Sequence, residues 1–88
     1  MDLYPLKDAV NCRQVGDVMI QPGQVWQHFK GGLYIVIGVA RNSETMEDEV
    51  IYKDMYGLGQ LWARPLSMWN ENINRGAYSG PRFKYVRG

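Results

Sequence analysis

Apolar and polar residues alternate along several short stretches of the chain, which is the period of a β-strand with one face in a core. The segment QVWQHFK (residues 24–30) alternates in this way and ends at Gly31 and Gly32, a pair that tolerates the positive φ of a two-residue hairpin turn. The next segment, LYIVIGVA (residues 33–40), is rich in β-branched residues and apolar at both alternating sets of positions. The pattern predicts a hairpin whose second strand is central and covered on both faces.

Three more strands and one helical turn are predicted after this hairpin. The segments EVIYKDM (residues 49–55) and QLWAR (residues 60–64) are separated by a glycine-containing turn. Pro65 ends the second of these strands, because proline cannot donate a ladder hydrogen bond. PLSMW (residues 65–69) predicts a single tight helical turn, and PRFKYV (residues 81–86) predicts a last strand that closes the sheet.

The number and spacing of these segments predict an all-β fold. Short strands with a wide polar loop and a one-turn helix favour a small, bent antiparallel sheet or an SH3-like barrel. Residues 22–88 form this predicted domain, and residues 1–21 are predicted to be an N-terminal extension. A helix over residues 6–19 stays possible, although its apolar spacing is poor and Gly16 interrupts it.

Length limits the chain to one domain. Its 88 residues are 45% hydrophobic, which is enough to cover a single core. A chain this short buries only about 60–65% of its unfolded surface, so part of its stability is expected to come from a partner subunit. We therefore expect a homo-oligomer, either a dimer or a higher assembly.

Hydropathy and charge predict a cytoplasmic protein with neither a membrane nor a long nucleic acid as its partner. No run approaches the roughly 18 apolar residues that span a bilayer, and the first residues lack the apolar stretch of a signal peptide. Cys12 is the only cysteine, so no internal disulfide can form, which agrees with a reducing compartment. The net charge of +1 is too small for the multiple phosphate contacts that drive binding to long nucleic acid.

Catalysis, a metal site and a cofactor are not predicted. His28 is the only histidine, and the sequence gives it no serine or cysteine partner. No group of cysteines and histidines has metal-ligand spacing, and no glycine-rich loop opens a helix as a phosphate loop would. A single strand histidine is more typical of a half-buried hydrogen-bonding residue than of a general base.

Aromatic and cationic side chains lie close together on several predicted strands. Trp62 and Arg64 are two residues apart and therefore share one face of a strand, and Trp26 lies near His28 in the same way. Aromatic faces stack on nucleobases, and a guanidinium binds phosphate through two parallel hydrogen bonds. The alternative for each aromatic is core packing, with the Arg64 stem covering an indole. As a set, the aromatics exceed what one small core needs.

The polar loop after the central strand is a second candidate for anion binding. Arg41, Ser43 and Thr45 offer a cation and two hydroxyls at alternate positions, where a loop could wrap an anion. Serine and threonine hydroxyls also satisfy backbone groups within loops, and the sequence leaves both interpretations open.

Several uncommon residues follow one another in a characteristic order: a run of Pro-Gly, an aromatic, His, an aromatic and Lys-Gly, then an Ala-Arg-x-Ser-Glu-Thr loop, a Tyr-Gly turn, a Leu-Trp-x-Arg-Pro-Leu-x-Met segment and a closing Pro-Arg-Phe. This order carries a resemblance to a domain-of-unknown-function family of short bacterial and phage proteins. It covers about residues 22–86 and leaves residues 1–21 unplaced. Asn42 departs from the pattern, which predicts a histidine at this position.

The resemblance implies a small SH3-like β fold and no assigned activity. Phages encode compact, non-enzymatic sponges that sequester nucleotide immune signals and so evade anti-phage defence, and this chain is similar to them in size and surface chemistry. This analogy favours a nucleotide ligand without identifying one. A phage-encoded protein of this kind would act in the cytoplasm of the host.

These observations predict a non-catalytic module that binds a small phosphorylated ligand, such as a cyclic dinucleotide, in a pocket of an oligomer. The predicted site comprises cations for phosphate (Arg64, Arg41, Lys30), aromatics for a base (Trp62, Trp26, Tyr52), hydroxyl donors (Ser43, Thr45) and the imidazole of His28. A protein-interaction or structural SH3-like module, with an aromatic groove for a proline-rich segment, is the alternative. A third option is binding of single-stranded nucleic acid by stacking, which predicts a steep loss of affinity with salt.

Overall fold

The computed structural model describes residues 3–5, 13–15, 18–69 and 71–88. The elements of these residues are β1 (Leu3–Pro5), β2 (Arg13–Val15), β3 (Val18–Ile20), β4 (Val25–His28), β5 (Leu33–Asn42), β6 (Asp48–Asp54), β7 (Leu61–Pro65), α1 (Leu66–Trp69), β8 (Asn72–Arg75), β9 (Tyr78–Pro81) and β10 (Phe83–Arg87). Among them, no helix has the length and apolar character needed to cross a membrane.

Most strands form one antiparallel sheet with the order β10-β4-β5-β6-β7. β1 joins this sheet as a sixth strand by pairing with the last three residues of β5, from Ala40 to Asn42. The pairs β2–β3 and β8–β9 form two separate two-stranded sheets. Within the described part of the chain, β7 and β10 do not pair with each other, so the sheet stays open. The prediction of a small, bent, all-β fold is confirmed in its open form rather than as a closed barrel.

A β-bulge at Ile37 bends the central strand β5 and determines which of its side chains point to the core. The register of β5 against β6 shifts between Val36 and Gly38, because Ile37 has no partner on β6. The extra residue turns Val36 and Val39 to the same side, and both are buried in the core. Ile37 is instead 46% exposed. The prediction that β5 is covered on both faces is therefore wrong at this position.

The hairpin between β4 and β5 is confirmed, but its turn is longer than two residues. The His28 N–H donates to the Gly32 carbonyl at 2.8 Å, and the Gly31 N–H donates to the His28 carbonyl at 2.7 Å. Residues 29–32 therefore form the connection, and of the two glycines only Gly31 has a positive φ, 107°. A glycine pair alone does not determine the length of a turn, because one positive-φ position also completes a four-residue loop.

The N-terminal extension takes part in the fold. β1 lengthens one side of the sheet, and Ile20 at the end of β3 is completely buried in the core. A helix stayed possible over residues 6–19. Of these, residues 13–15 and 18–19 are strand instead, and residues 6–12 and 16–17 lie outside the described part. The domain boundary after residue 21 stays a prediction.

The core is an aromatic cluster centred on Trp69 and Phe83. Their rings stack in parallel, 3.9 Å between centroids at an angle of 5°, and both side chains are fully buried. The predicted helical turn is confirmed as α1, and its last residue, Trp69, enters the core. Tyr52 and Trp26 meet Trp69 edge-on at 5.0 and 5.7 Å. Because interiors are closely packed, this cluster gives the strands around it a rigid floor.

A buried polar pair closes the end of the sheet opposite the β4–β5 turn. The Asn42 Nδ2 group donates to Glu49 Oε2 at 3.0 Å, and both residues are buried. The Asn42 Oδ1 atom accepts from the backbone N–H groups of Glu44 and Thr45, at 2.9 and 3.3 Å. One amide therefore holds the loop on one side and a buried carboxylate on the other. These three bonds explain why asparagine suits a position where the resemblance predicts histidine.

Replacing Asn42 with alanine is expected to destabilise the fold by about 2–4 kcal/mol, because two loop N–H groups and a buried carboxylate lose their partner. Urea denaturation measures the change in the free energy of unfolding. The matched control is Ser43→Ala, one residue further along, which is expected to change stability by about 0.5 kcal/mol or less. An Asn42→Ala protein as stable as the Ser43→Ala protein would contradict the role of this pair.

Candidate functional site

Trp62 and Arg64 extend from the edge strand β7 on the core-facing side of the sheet. Trp62 is the cross-strand partner of Tyr52, and Arg64 is the partner of Val50. Since cross-strand partners point to the same face and both β6 residues are buried, Trp62 and Arg64 also point toward the core side. β7 is an edge of the sheet, so the core does not enclose them.

These side chains border a concavity of about 150 Å³, which we call the Arg64 cleft. Its lining comprises His28, Tyr34, Tyr52, Trp62, Arg64 and Phe83. Tyr34 meets Tyr52 and Phe83 edge-on at 5.3 and 5.9 Å, and Phe83 in turn stacks on the buried Trp69. The walls of the cleft are therefore continuous with the aromatic core, which fixes their positions before any ligand arrives.

The guanidinium of Arg64 is the cation of this cleft. Its Cζ atom lies 5.7 Å from the centre of the Phe83 ring, within range of a cation–π interaction. Its Nε group donates to the Tyr52 hydroxyl at 3.3 Å. Among the described residues, no carboxylate forms an ion pair with Arg64, whereas Arg41 and Arg82 each have one. A guanidinium held by its Nε side can offer its two terminal nitrogens to an anion.

The indole of Trp62 is partly open to solvent and is held at its edge. Its exposed fraction is 43%, and its Nε1–H donates to Asp54 Oδ1 at 3.0 Å. A hydrogen bond at the edge of a ring orients the ring without covering its faces. Trp62 therefore presents an ordered aromatic surface beside Arg64, as stacking on a flat ligand requires.

His28 lines the cleft as a neutral hydrogen-bonding ring. Its Nδ1 accepts from the Lys30 backbone N–H at 3.2 Å, which places the proton of the neutral ring on Nε2. Burial lowers the pKa of His28 below its usual value of 6.5, and the positive charges of Arg64, Arg82 and Lys30 lower it further. At neutral pH the imidazole is therefore an uncharged donor.

The lowered pKa of His28 predicts a loss of stability in acid. An unfolded chain takes up this proton near pH 6.5 and the folded chain only at lower pH, so stability falls as pH drops below 6.5 and is unaffected by this group above it. Unfolding free energies measured in urea at several pH values are expected to show this decline. The contribution of His28 to it corresponds to at most one extra proton bound on unfolding. The variant His28→Gln is expected to flatten the upper part of the decline. An identical pH profile in the variant would contradict the assignment.

A larger groove of about 430 Å³ adjoins the Arg64 cleft and shares Tyr34 with it. Asp54 lines this groove together with the β4–β5 turn and the loop between β6 and β7. Burial raises the pKa of the Tyr34 hydroxyl above 10.0, and the nearby Asp54 and Tyr52 raise it further, against an opposing effect of Arg64. Tyr34 therefore stays a protonated donor between the two concavities.

The structure brings four of the sequence-predicted site residues together: His28, Tyr52, Trp62 and Arg64. Tyr52 is buried, so only its hydroxyl edge, bonded to Arg64, is suited to contact with a ligand, and its predicted role as a stacking face is not supported. Lys30 does not line the cleft, and its Nζ atom lies 5.8 Å from the centre of the Phe29 ring. It is close enough to His28 to lower that residue's pKa.

Trp26 does not belong to the site. It is 2% exposed, with Trp69 and Tyr85 edge-on against it at 5.7 and 5.6 Å. Its indole N–H donates to Gln24 Oε1 at 3.1 Å. Core packing, the alternative left open for each aromatic, applies to this tryptophan, because β4 lies inside the sheet whereas β7 lies at its edge.

The polar loop residues Arg41, Ser43 and Thr45 also lie away from the cleft. Arg41 is opposite Asp48 at one end of the β5–β6 ladder, whereas Tyr34, which lines the cleft, is at the other, roughly 20 Å away along the strand. The Arg41 Nε atom pairs with Asp48 Oδ1 at 3.5 Å, and Thr45 Oγ1 accepts from the Glu47 N–H at 3.2 Å. The Thr45 hydroxyl thus bonds a loop backbone group, the alternative left open above, and the loop does not line the cleft.

Three residues of the site were missed by the sequence analysis: Tyr34, Asp54 and Phe83. Tyr34 and Asp54 are cross-strand partners, and Asp54 lies two residues beyond Tyr52 on the same face of β6. That alternation was readable in the sequence. Phe83 required the pairing of β10 with β4, which places it opposite His28 and which short-range patterns do not specify.

Comparisons with known proteins agree with this fold. Residues 24–85 match the sequence profile of a family described as a protein of unknown function, DUF1653. The chain is also similar to a solved crystal structure of a DUF1653 protein from Bordetella bronchiseptica, with 40% sequence identity and a TM-score of 0.67. The similarity covers 77% of this chain and 88% of that one. No curated protein matches the sequence.

Proposed function

Because the chain belongs to the DUF1653 family, described as proteins of unknown function, we propose its function from the Arg64 cleft. The proposed function is non-catalytic binding and sequestration of a small phosphorylated ligand with a flat ring, of which a cyclic nucleotide signal is the leading example. In this proposal Arg64 binds the phosphate and Trp62 stacks on the ring. Phage sponges also act by sequestering such a signal, and we include this analogy in the proposal.

The observation that carries the proposal is the position of Arg64 beside Trp62. The guanidinium lies over the ring of Phe83, is bonded at Nε to Tyr52 and has no carboxylate partner among the described residues. A partly buried cation without a counter-ion favours an anionic ligand, because the anion supplies the missing charge. The exposed indole beside it favours an anion attached to a flat group.

The volumes of the two concavities limit how the ligand can lie. Small-molecule pockets typically enclose about 300–1,000 Å³. At about 150 Å³ the Arg64 cleft accommodates one phosphate or one ring, and the adjoining groove adds about 430 Å³. A cyclic dinucleotide therefore has to extend past Tyr34 from the cleft into the groove.

His28 supports a role in binding rather than in acid–base chemistry. Its Nδ1 is engaged by the backbone of its own turn, so a carboxylate does not orient it as in catalytic pairs. Its pKa is lowered, which makes the neutral Nε2–H a donor for a phosphate oxygen. The proposal therefore includes no bond-breaking step.

The experiment is a titration of cyclic mononucleotides and cyclic dinucleotides, monitored by melting temperature and tryptophan fluorescence. We expect at least one compound to raise the melting temperature saturably and to be recovered unchanged after heat denaturation. The matched control for the site is Arg75→Ala, which removes one positive charge from β8, and this variant is expected to bind as the parent does. No response to any compound would contradict the proposal, and a chemically altered ligand would contradict its non-catalytic part.

A protein-interaction module is the second candidate function. Leu58, Leu61 and Trp62 are exposed around β7, and a strand at the edge of a sheet offers unpaired backbone groups to another chain. The same surface supports the expected homo-oligomer. A dominant protein partner in a pull-down, together with no shift of the melting temperature by nucleotides, would favour this function over ligand binding.

A further inference from the structure

We propose that Asp54 makes the site selective for a guanine base over an adenine base. The proposal rests on the function proposed above and assigns one end of the ligand to the Arg64 cleft and the other to the adjoining groove. Its basis is the placement of one carboxylate and one guanidinium on opposite sides of Trp62.

The order of side chains along the β6–β7 ladder determines which end of the site carries the cation and which end carries the carboxylate. Arg64 lies opposite Val50 and Trp62 lies opposite Tyr52. The two pairs are two residues apart and therefore lie on the same face of the sheet. Asp54 is the next residue of β6 on that face, beyond Tyr52. With a rise of about 3.3 Å per residue, the backbone positions of Arg64 and Asp54 lie roughly 7 Å on either side of that of Trp62 along the ladder. The Asp54 side chain reaches back from its position to the edge of the indole.

Asp54 is held firmly in this position. Its Oδ1 accepts the Trp62 Nε1–H at 3.0 Å, and its backbone N–H donates to the Gln60 carbonyl at 3.0 Å. It is the cross-strand partner of Tyr34, which lines both concavities. Of the two carboxylate oxygens, Oδ2 has no hydrogen bond among the described residues, and Asp54 lines the larger groove. The site therefore has a fixed acceptor at the rim of its aromatic surface.

A carboxylate selects the hydrogen-bond pattern of a base edge. Guanine has two adjacent donors on its Watson–Crick edge, N1–H and the 2-amino group, which a carboxylate accepts together. Adenine has its 6-amino donor next to the N1 acceptor, and this acceptor repels a carboxylate, which has no proton to donate. With the phosphate on Arg64 and the base on Trp62, the edge of the base points toward Asp54. Guanine is the base that fits this end of the site.

The test is a competition between cyclic GMP and cyclic AMP, measured as the ratio of their dissociation constants. Hydrogen bonds to a charged group predict that the parent protein prefers cyclic GMP by about tenfold or more. In Asp54→Asn, which replaces one acceptor oxygen with an amide donor, the ratio is expected to fall to about threefold or less. Cyclic IMP keeps N1–H but lacks the 2-amino group, so its affinity for the parent is expected to be intermediate.

Two further variants separate selectivity from folding. Trp62→Phe keeps an aromatic face but removes the N–H that orients Asp54, so it is expected to lower the cyclic GMP preference at least threefold while still binding nucleotide. Glu47→Gln removes an exposed acid from the distant β5–β6 loop and is expected to leave the ratio unchanged. If Asp54→Asn fails to fold, Trp62→Phe still tests the proposal.

The outcomes distinguish this inference from the proposed function. Equal binding of cyclic GMP and cyclic AMP by the parent overturns the role of Asp54 and leaves nucleotide binding in place. A preference that survives in both Asp54→Asn and Trp62→Phe also overturns it. If neither nucleotide binds and cyclic dinucleotides do not bind either, the proposed function and the inference fail together.

Discussion

Replacing Arg64 with alanine is expected to weaken nucleotide binding by about 10- to 100-fold, because hydrogen bonds to a charged group contribute roughly 1.5–3 kcal/mol. The variant loses the fork that faces the cleft and leaves the phosphate against the aromatic walls of Tyr34 and Phe83. Isothermal titration calorimetry with the best ligand of the panel measures the change. Stability is expected to change little by comparison, since the Nε bond to Tyr52 is long, at 3.3 Å, and partly exposed.

A lysine at this position separates the charge of Arg64 from its geometry. Arg64→Lys keeps a positive charge but not the planar fork, so its affinity is expected to lie between those of the parent and Arg64→Ala. Arg75→Ala again controls for the loss of one charge outside the cleft. Nucleotide affinity that stays within about threefold of the parent in Arg64→Ala would show that Arg64 is not the phosphate ligand.

Replacing Trp69 with alanine is expected to cost about 3–5 kcal/mol of stability, the usual range for removing a large buried aromatic. Trp69 is fully buried, stacks on Phe83 at 3.9 Å and meets Trp26 and Tyr52 edge-on. Small domains are stable by only about 5–15 kcal/mol, so this loss takes a large part of the total. Urea denaturation followed by circular dichroism gives the change in midpoint.

The smaller substitution Trp69→Phe is the control for this prediction. Its cost is expected to be clearly lower than that of alanine, because a ring still fills part of the space and the indole N–H, which has no partner among the described residues, is removed. A Trp69→Ala protein with the stability of the parent would contradict the account of the core. It would also remove the reason to regard the Arg64 cleft as preorganised, since Phe83 rests on Trp69.

The local pattern of the sequence predicted six of the elements but missed the two small hairpins, β2–β3 and β8–β9. β4, β5, β6, β7, α1 and β10 lie within a few residues of the predicted segments. The pairing of β10 with β4 and of β1 with β5 joins segments far apart in the chain, and alternation carries no information about such partners. The bulge at Ile37 was missed for a related reason, because a single unpaired residue shows only when both strands are in register.

Four of the residues that line the Arg64 cleft were named from the sequence, Trp62 and Arg64 among them. Trp62 and Arg64 share a face because they are two residues apart on a strand, and the register with β6 confirms this arrangement. What separates the exposed Trp62 from the buried Trp26 is the position of each strand in the sheet, edge or interior. The sequence gives both tryptophans similar surroundings, so it could not distinguish a binding residue from a core residue.

The most direct test follows the indole N–H signals of the three tryptophans in a ¹⁵N–¹H NMR spectrum during titration with nucleotide. The Trp62 signal is identified by its loss in Trp62→Phe. We predict that this signal shifts saturably while those of the buried Trp26 and Trp69 move little, because only the indole of Trp62 borders the Arg64 cleft. A Trp62 signal that stays fixed throughout the titration, with every nucleotide of the panel, would contradict the account.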